Sequence, residues 1–370
     1  MIEISVENKL LLLLCDKKPS QSREEIISLI LEPIDWYSFF SIAMKHKVLF
    51  ICFEKLRDLE LLNFSLKEGN LSLLMLNHWE QLYEVNTYKN KKYMEELNKI
   101  NYAFSDAGIN YAIAKGGPAL IGKVYTISER KMYDIDLIAN KKDYQKLDNT
   151  LKLLGYFNAN YNHDKKEYLP VSQEEIRKWF LHTRGLPNYV KPVDSIIRQV
   201  LLQIQFKIGS TITGETIDAA KLIQDSKKEN ENLSVISPED LAIQLALHLY
   251  RETIEPSFEA WNMDWNLIKI CDFDRYINYY NENNVISNLI NRIEELDCVK
   301  PFLYSTYFTN LVYPTPVLKK VIDLLVNKSE ENFIENLFER KNILGEIFKL
   351  GEGDKKNESE WEKLMGIKTL

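Results

Sequence analysis

Glycine and proline are scarce in this chain of 370 residues, with 13 and 11 copies respectively. That scarcity excludes collagen-like and linker-rich designs, counts against a many-stranded turn-rich sandwich, and favours helices. The four cysteines, Cys15, Cys52, Cys271 and Cys298, lie far apart and form no CxxC pair. They suit neither a disulfide frame nor a zinc knuckle and read as reduced, mostly buried small hydrophobes of a cytosolic protein. A basic excess is missing too: 47 Lys and Arg against 54 Asp and Glu leave a net charge of −7. Long nucleic acid is therefore not an expected partner, although a local basic pocket is compatible with this balance. The longest apolar run, around Leu10 to Cys15, is too short for a membrane span. Glu3 and Glu7 precede it and no small-residue cleavage site follows, so neither a signal peptide nor a membrane partner is expected, and a cytoplasmic location is. No Cys/His spacing suggests zinc, no GxSxG a serine hydrolase, and no GxxxxGK[ST] a P-loop.

What remains is globular in character, 45% apolar and 27% charged, and long enough for two or three domains. The first hundred residues have helical texture. Ser22 and Glu25 make a capping box, Asp35 can cap a helix carrying Trp36, Phe39, Phe40 and Ala43, and Asn70 to Phe104 is a long helical stretch, with room for one break, before Gly108. The texture then changes. Asn110 to Ala114 is short, apolar and strand-like, Lys115-Gly116-Gly117 follows, and Pro118 can open a helix. Tyr133 to Ala139 alternates with the period of a strand, and Lys141 to Leu154 is a helix stopped by Gly155. Asp194 to Ile208 alternates as one long strand, whereas Tyr161 to Pro192 carries no clear period. Lys227 to Asn232 is a charged run without apolar residues, expected as a loop and a domain boundary. Ser237-Pro238-Glu239-Asp240 is a strong helix start, and helices are expected from there to about Phe348.

The segment Lys115 to Asp136 carries the chemistry. Asp134 and Asp136, at i and i+2 of a strand, point to one face, where both can reach Mg²⁺, a cation that takes hard oxygen ligands. Gly116 and Gly117 leave backbone N–H groups open to phosphate oxygens, the helix from Pro118 aims its positive end at the same place, and Lys115 and Arg130 add positive charge. A phosphate-cradling turn beside a metal-binding acid pair is the equipment of phosphoryl or nucleotidyl transfer. The five histidines are scattered. His46 suits a helix C-terminus and His78 a packed or solvated helix face, while His163 and His182 lie in polar stretches. Lys269 and Arg275, near Asp272 on a later helix, are candidates for phosphate contacts, with a solvated helix face as the simpler reading.

These residues resemble the polymerase-beta-like nucleotidyltransferases, which carry a glycine turn and then a strand with Asp-x-Asp. The closer similarity is to the family called uncharacterised nucleotidyltransferase, the NTP-transferase type 5 group, through Lys115-Gly116, Tyr125, then Arg130, Asp134 and Asp136. The Asp35-Trp36 helix with His46, the Leu241 to Tyr250 stretch with His248, and the Asn266 to Ile277 stretch with Asp272 extend the resemblance over most of residues 35 to 280. The resemblance implies a third carboxylate on a later strand in an apolar-Asp-apolar-His pattern. Here the matching strand reads Leu202-Gln203-Ile204-Gln205-Phe206, so Gln203 takes the acid's place and Gln205 the histidine's. An amide can ligate a metal through its oxygen but cannot accept a proton. Asp194, Asp218 and Glu167 are the alternative acids.

The expected fold is α+β: a small mixed-sheet nucleotidyltransferase core with helical N-terminal and C-terminal parts, divided as 1–108, 109–226 and 237–350 with a charged tail at 351–370. The expected reaction is Mg²⁺-dependent transfer of a nucleoside monophosphate from an NTP to a small-molecule or peptide acceptor, with a natural-product tailoring role as one possibility. Asp134, Asp136 and Gln203 are its catalytic candidates. Lys115, Gly116, Gly117, Arg130, His248 and Lys269 are expected to bind the nucleotide, in a cleft between the sheet and the helices after Ser237. Two other readings stay open: a nucleotide- or phospho-ligand-binding protein of this fold without catalysis, and a transferase of a sugar from a nucleotide-sugar. The sequence fixes no oligomeric state.

Overall fold

A computed structural model describes residues 4–17, 22–194, 196–209, 214–229, 233–260, 264–340 and 342–348. The tail at 351–370 and the Ser22 side chain lie outside what it describes. The architecture is mixed α+β, as expected. Contacts divide the chain into a helical unit, Met1–Glu84 with Ser128–Arg130 and Leu245–Leu370, and a sheet unit, Val85–Ile127 with Lys131–Gln244.

The sheet unit holds β1 (Tyr111–Ile113), β2 (Ile135–Ala139), β3 (Phe157–Asn162), β4 (Glu167–Pro170), β5 (Tyr189–Pro192), β6 (Gln199–Gln205), β7 (Lys207–Gly209), β8 (Thr216–Asp218), β9 (Lys227–Glu229) and β10 (Leu233–Val235). Among the described residues, eight strands form one sheet in the order β4-β3-β5-β6-β2-β1-β10-β9, and β7 pairs with β8 separately. The central strand β2 runs antiparallel to β1 and parallel to β6, with Asp136 opposite Gln203. All five residues of β2 are buried, as are the three of β1.

Helices cover this sheet through regularly spaced apolar residues. Helix Leu73–Asp106 is continuous, and Tyr93, Leu97, Ile100 and Phe104 bury one face of its later half. It ends where Gly108 takes a φ of 61° and the Ile109 N–H reaches the Phe104 carbonyl, the closing bond of a Schellman end. Helix Tyr144–Leu153 buries Leu147 and Leu151 and stops in the same way at Gly155, φ 86°.

Three expectations change. Asp194 to Ile208 is not one strand: the Asp194 carboxylate accepts from the Ile196 and Ile197 N–H groups and turns the chain before β6. The unassigned Tyr161 to Pro192 stretch contains the β3–β4 hairpin, helix Gln173–His182 and β5. Lys227–Glu229, expected as loop, is an edge strand, where charged side chains guard against pairing with other chains.

In the helical unit Asp35 caps helix Trp36–Lys45 through the Tyr37 and Ser38 N–H groups, and Trp79 donates its indole N–H to the Leu49 carbonyl. All four cysteines are buried, and Cys15 Sγ lies 4.0 Å from Cys52 Sγ. Burial holds the Cys15 and Cys271 thiols protonated, so they act as apolar packing groups. His46 is the C-cap of helix Trp36–Lys45, and its Nδ1 accepts from the Leu267 N–H.

Burial, with the Lys45 charge adding to it, pushes the His46 imidazole down to about 3. The unfolded chain binds this proton near pH 6.5 and the folded chain does not, so stability is full above pH 6.5 and falls as pH drops toward 3. Urea midpoints measured from pH 7 to 4 should show that fall, and His46→Gln should flatten it by up to ~1.4 kcal/mol per pH unit.

Candidate functional site

Asp136 is the centre of the sheet unit's polar cluster. Strand β1 ends at Ile113, and the next residue, Ala114, still donates its N–H to the Asp136 carbonyl, 3.2 Å away. The ladder therefore delivers Lys115 and Gly116 beside the Asp136 side chain. Lys115 Nζ lies 3.4 Å from Asp136 Oδ1, and both side chains are largely withdrawn from water. Gly116 adopts φ 83° and ψ −166°, a conformation in which L side chains are strained. A Cβ there would sit 3.3 Å from Asp136 Oδ2. Gly117 is glycine for another reason: a Cβ would overlap the Met132 side chain. The helix that follows, Gly117–Leu120, is only one turn long. Proline stands in its first turn, as expected.

Strand β2 begins at Ile135, so Asp134 sits just before it. Opposite, Gln203 is the register partner of Asp136, and residues level with each other on paired strands share a face. Gln205, two residues on, donates Nε2–H to Asp136 Oδ1 at 3.4 Å. Both amides thus stand on the Asp136 side of β6. The alternative acids do not. Asp194 closes a turn and accepts from Tyr88 Oη, Asp218 caps helix Ala219–Gln224, and Glu167 is exposed on β4, four strands from β2. Among the described residues, no group of three or more His, Cys, Asp or Glu stands together as a metal site.

Arg130 belongs to a different cluster. Its Nε and Nη2 donate to Asp272 Oδ1 and Oδ2 at 2.9 and 2.6 Å, a bidentate buried pair on helix Leu267–Asn283. One turn on, Arg275 reaches back to Glu129 Oε1 at 3.3 Å and to the Cys15 carbonyl. The two ion pairs have opposite polarity, so the strap Ser128–Arg130 is clamped at two adjacent residues. This corrects the solvated helix face read around Asp272 and Arg275, which are buried. It also means the Arg130 guanidinium is directed at a carboxylate, where the sequence pattern had suggested a phosphate.

His248 and Lys269 come together in the helical unit, with a carboxylate that motif reasoning passed over. His248 Nε2 lies 2.6 Å from Glu252 Oε1, and Lys269 Nζ lies 3.3 Å from the same oxygen. The i, i+4 spacing of His248 and Glu252 on helix Pro238–Ile254 was the available signal. His163 lies in the β3–β4 hairpin turn and His78 and His182 are exposed on helices, away from any such cluster.

The family described as uncharacterised nucleotidyltransferase matches residues 32–314. The chain belongs to that family. Comparison with curated proteins finds no match. The match takes in Lys115, the glycine turn, Arg130, both acids, Gln203, His248 and Lys269, and it places the chain among nucleotidyltransferases. Among the described residues, no helix is long and apolar enough to cross a membrane.

Two tests follow from this geometry. Arg130→Met should lower unfolding stability by roughly 3–5 kcal/mol in denaturant titration, because Asp272 is left buried without its cation, and the double change Arg130→Met/Asp272→Leu should recover most of that loss. Gly116→Ala should cost on the order of 1–3 kcal/mol.

Proposed function

We propose that this protein is a Mg²⁺-dependent nucleotidyltransferase that moves a nucleoside monophosphate from an NTP to a hydroxyl oxygen of a small-molecule or peptide acceptor, in the manner of a tailoring enzyme. The observation that carries the reading is the meeting of Asp136 with Lys115 and the side-chain-free Gly116 backbone, with Asp134 two residues away. Two carboxylates and the Gln203 amide oxygen are hard donors of the kind Mg²⁺ takes, and the space that a Cβ at Gly116 would fill lies directly against Asp136. Bound there, the metal would supply charge stabilisation at the transferring phosphoryl group.

The residues then divide the work. Asp134 and Asp136 hold the cation. The Gly116 and Gly117 N–H groups and the Lys115 ammonium face the β- and γ-phosphates and take up charge as pyrophosphate leaves. The acceptor oxygen attacks the α-phosphorus in line as the α–β bridging P–O bond breaks, and its proton passes to solvent or to the acceptor itself, since neither Gln203 nor Gln205 can accept one. Arg130 acts through Asp272, holding the strap four residues before Asp134. Gln203 and Gln205 in place of an acid and a histidine also favour a second reading, a nucleotide-binding protein of this fold that has lost the chemistry.

Incubation with Mg²⁺, each labelled NTP and a panel of hydroxylated acceptors, read as pyrophosphate release and added mass, separates these readings. Transfer predicts a nucleotide increment, and Asp134→Asn or Asp136→Asn should reduce it by roughly 100-fold or more while NTP still binds. Asp136→Asn removes a partner of Lys115 and should cost on the order of 1–3 kcal/mol in denaturant titration. Nucleotide binding without pyrophosphate release from any acceptor would favour the binding protein, and a hexose increment when a nucleotide-sugar replaces the NTP would favour a sugar transferase.

A further inference from the structure

The two aspartates of the candidate site are placed by different means. Asp136 lies inside β2, where it is paired with Gln203 and its carbonyl accepts from the Ala114 N–H. Asp134 comes one residue before the first register pair, Ile135 with Leu202. The residues that lead into it are held from helix Leu73–Asp106, by Asn90 and Tyr93, which are both buried. Asn90 Nδ2 donates to the Ile127 carbonyl at 2.6 Å, and Asn90 Oδ1 accepts from the Met132 N–H at 3.3 Å. One side-chain amide thus ties together both ends of residues 127–132. Three positions on, and so on the same helix face, Tyr93 Oη lies 3.1 Å from the Tyr133 carbonyl and 3.4 Å from the Gln199 carbonyl. A phenol has one proton, which these two carbonyls share. Tyr133 leads into β2 and Gln199 opens β6, so one hydroxyl gathers the entries of the strands that carry Asp136 and Gln203.

Asparagine is a poor helix former, and burying its amide is costly unless the amide is hydrogen-bonded. At position 90 the bonds go to the backbone that precedes Asp134. Met132 carries the effect further. Its side chain packs against the glycine turn so closely that a Cβ on Gly117 would overlap it. The amide that holds the Met132 backbone therefore sets, through that side chain, the gap between the turn and the acid pair.

We propose that Asn90 and Tyr93 are positioning residues, which hold Met132 and Tyr133 so that Asp134 presents its carboxylate to a divalent cation together with Asp136. This deepens the transfer reading and rests on the metal-binding role given there to the acid pair. Mg²⁺ demands near-ideal octahedral geometry, so its affinity depends on how firmly each ligand is held, and groups that orient ligands tune metal sites strongly. Asp136 has its strand pairing for that purpose, and Asp134 has the helix.

The test is titration of the full chain with Mn²⁺ alone, read by electron paramagnetic resonance of the free ion, since Mn²⁺ takes the oxygen ligands that Mg²⁺ takes. Wild type is compared with Tyr93→Phe, Asn90→Ala and Tyr111→Phe. Tyr93→Phe keeps the ring and removes only the hydroxyl. Tyr111→Phe is the control: it removes a buried hydrogen bond to the same helix, from Tyr111 Oη to Asn101 Oδ1 at 2.6 Å, but Tyr111 pairs with Ala139, at the end of β2 remote from Asp134. Tyr93→Phe and Asn90→Ala should each weaken Mn²⁺ binding by roughly 10-fold or more, and Tyr111→Phe should leave it unchanged. In turnover at fixed Mg²⁺ the same two variants should lower kcat with little change in the KM for NTP. Added Mg²⁺ should restore part of that loss, a response that a general loss of stability would not give. Wild-type Mn²⁺ affinity in Tyr93→Phe overturns the proposal, as does an equal loss in Tyr111→Phe or absence of Mn²⁺ binding in wild type. Should Asn90→Ala not fold, Tyr93→Phe decides alone. Pyrophosphate release separates this failure from that of the transfer reading. Transfer by wild type beside unaffected variants sinks the positioning role and leaves the reading standing. Mn²⁺ binding weakened in both variants of a protein that transfers nothing does the reverse.

Discussion

Removing a carboxylate from water is costly unless a cation meets it, and two such meetings organise the functional parts of this chain. In the sheet unit Asp136 is met by Lys115, which stands next to the glycine turn because the β1–β2 ladder ends there. In the helical unit Asp272 is met by Arg130 through two parallel hydrogen bonds. The two pairs differ in kind. The Lys115 contact brings a compact ammonium to 3.4 Å from one Asp136 oxygen. The Arg130 contact is forked, short and buried, the geometry of a permanent link. A forked pair suits a strap that must hold still.

The amides on β6 bear on the same balance. A third carboxylate at position 203 would face Asp136 across a strand pair and add a like charge to one that already needs compensation. Gln203 avoids that repulsion, and Gln205 donates a hydrogen bond to the Asp136 carboxylate. An amide cannot accept a proton, so neither of these two positions on β6 offers a base.

The helical unit repeats the theme with other groups. The Glu252 carboxylate is shared by His248 and Lys269, and Glu129 is met by Arg275. His46 follows the opposite rule, kept neutral by burial and used as a hydrogen-bond acceptor for the start of helix Leu267–Asn283. Cys15 and Cys271 carry no charge, and Cys15 and Cys52 fill space where helices Val6–Cys15 and Leu49–Asp58 meet.

Much of this was legible in one dimension because it is local. The Ser237-Pro238 helix start, the stops at Gly108 and Gly155, the Asp35 cap, and the strand–glycine turn–strand order around Asp136 all rest on bonds that span fewer than six residues or on a period of 2 or 3.6. Side-chain bonding hid the rest. Asp194 broke an apparently continuous alternating strand by capturing two backbone N–H groups, and the charged run Lys227–Glu229 became an edge strand because a partner was available in β10. The residue types of the candidate site were likewise visible, whereas their partners were not: Arg130 with Asp272 spans 142 positions, and Gln205 with Asp136 spans 69. Sequence alone determined the locally capped helix starts and stops and which residues can carry charge. Only the tertiary structure decided which charge meets which, because that choice is made by strand register and helix packing, and no local pattern encodes either.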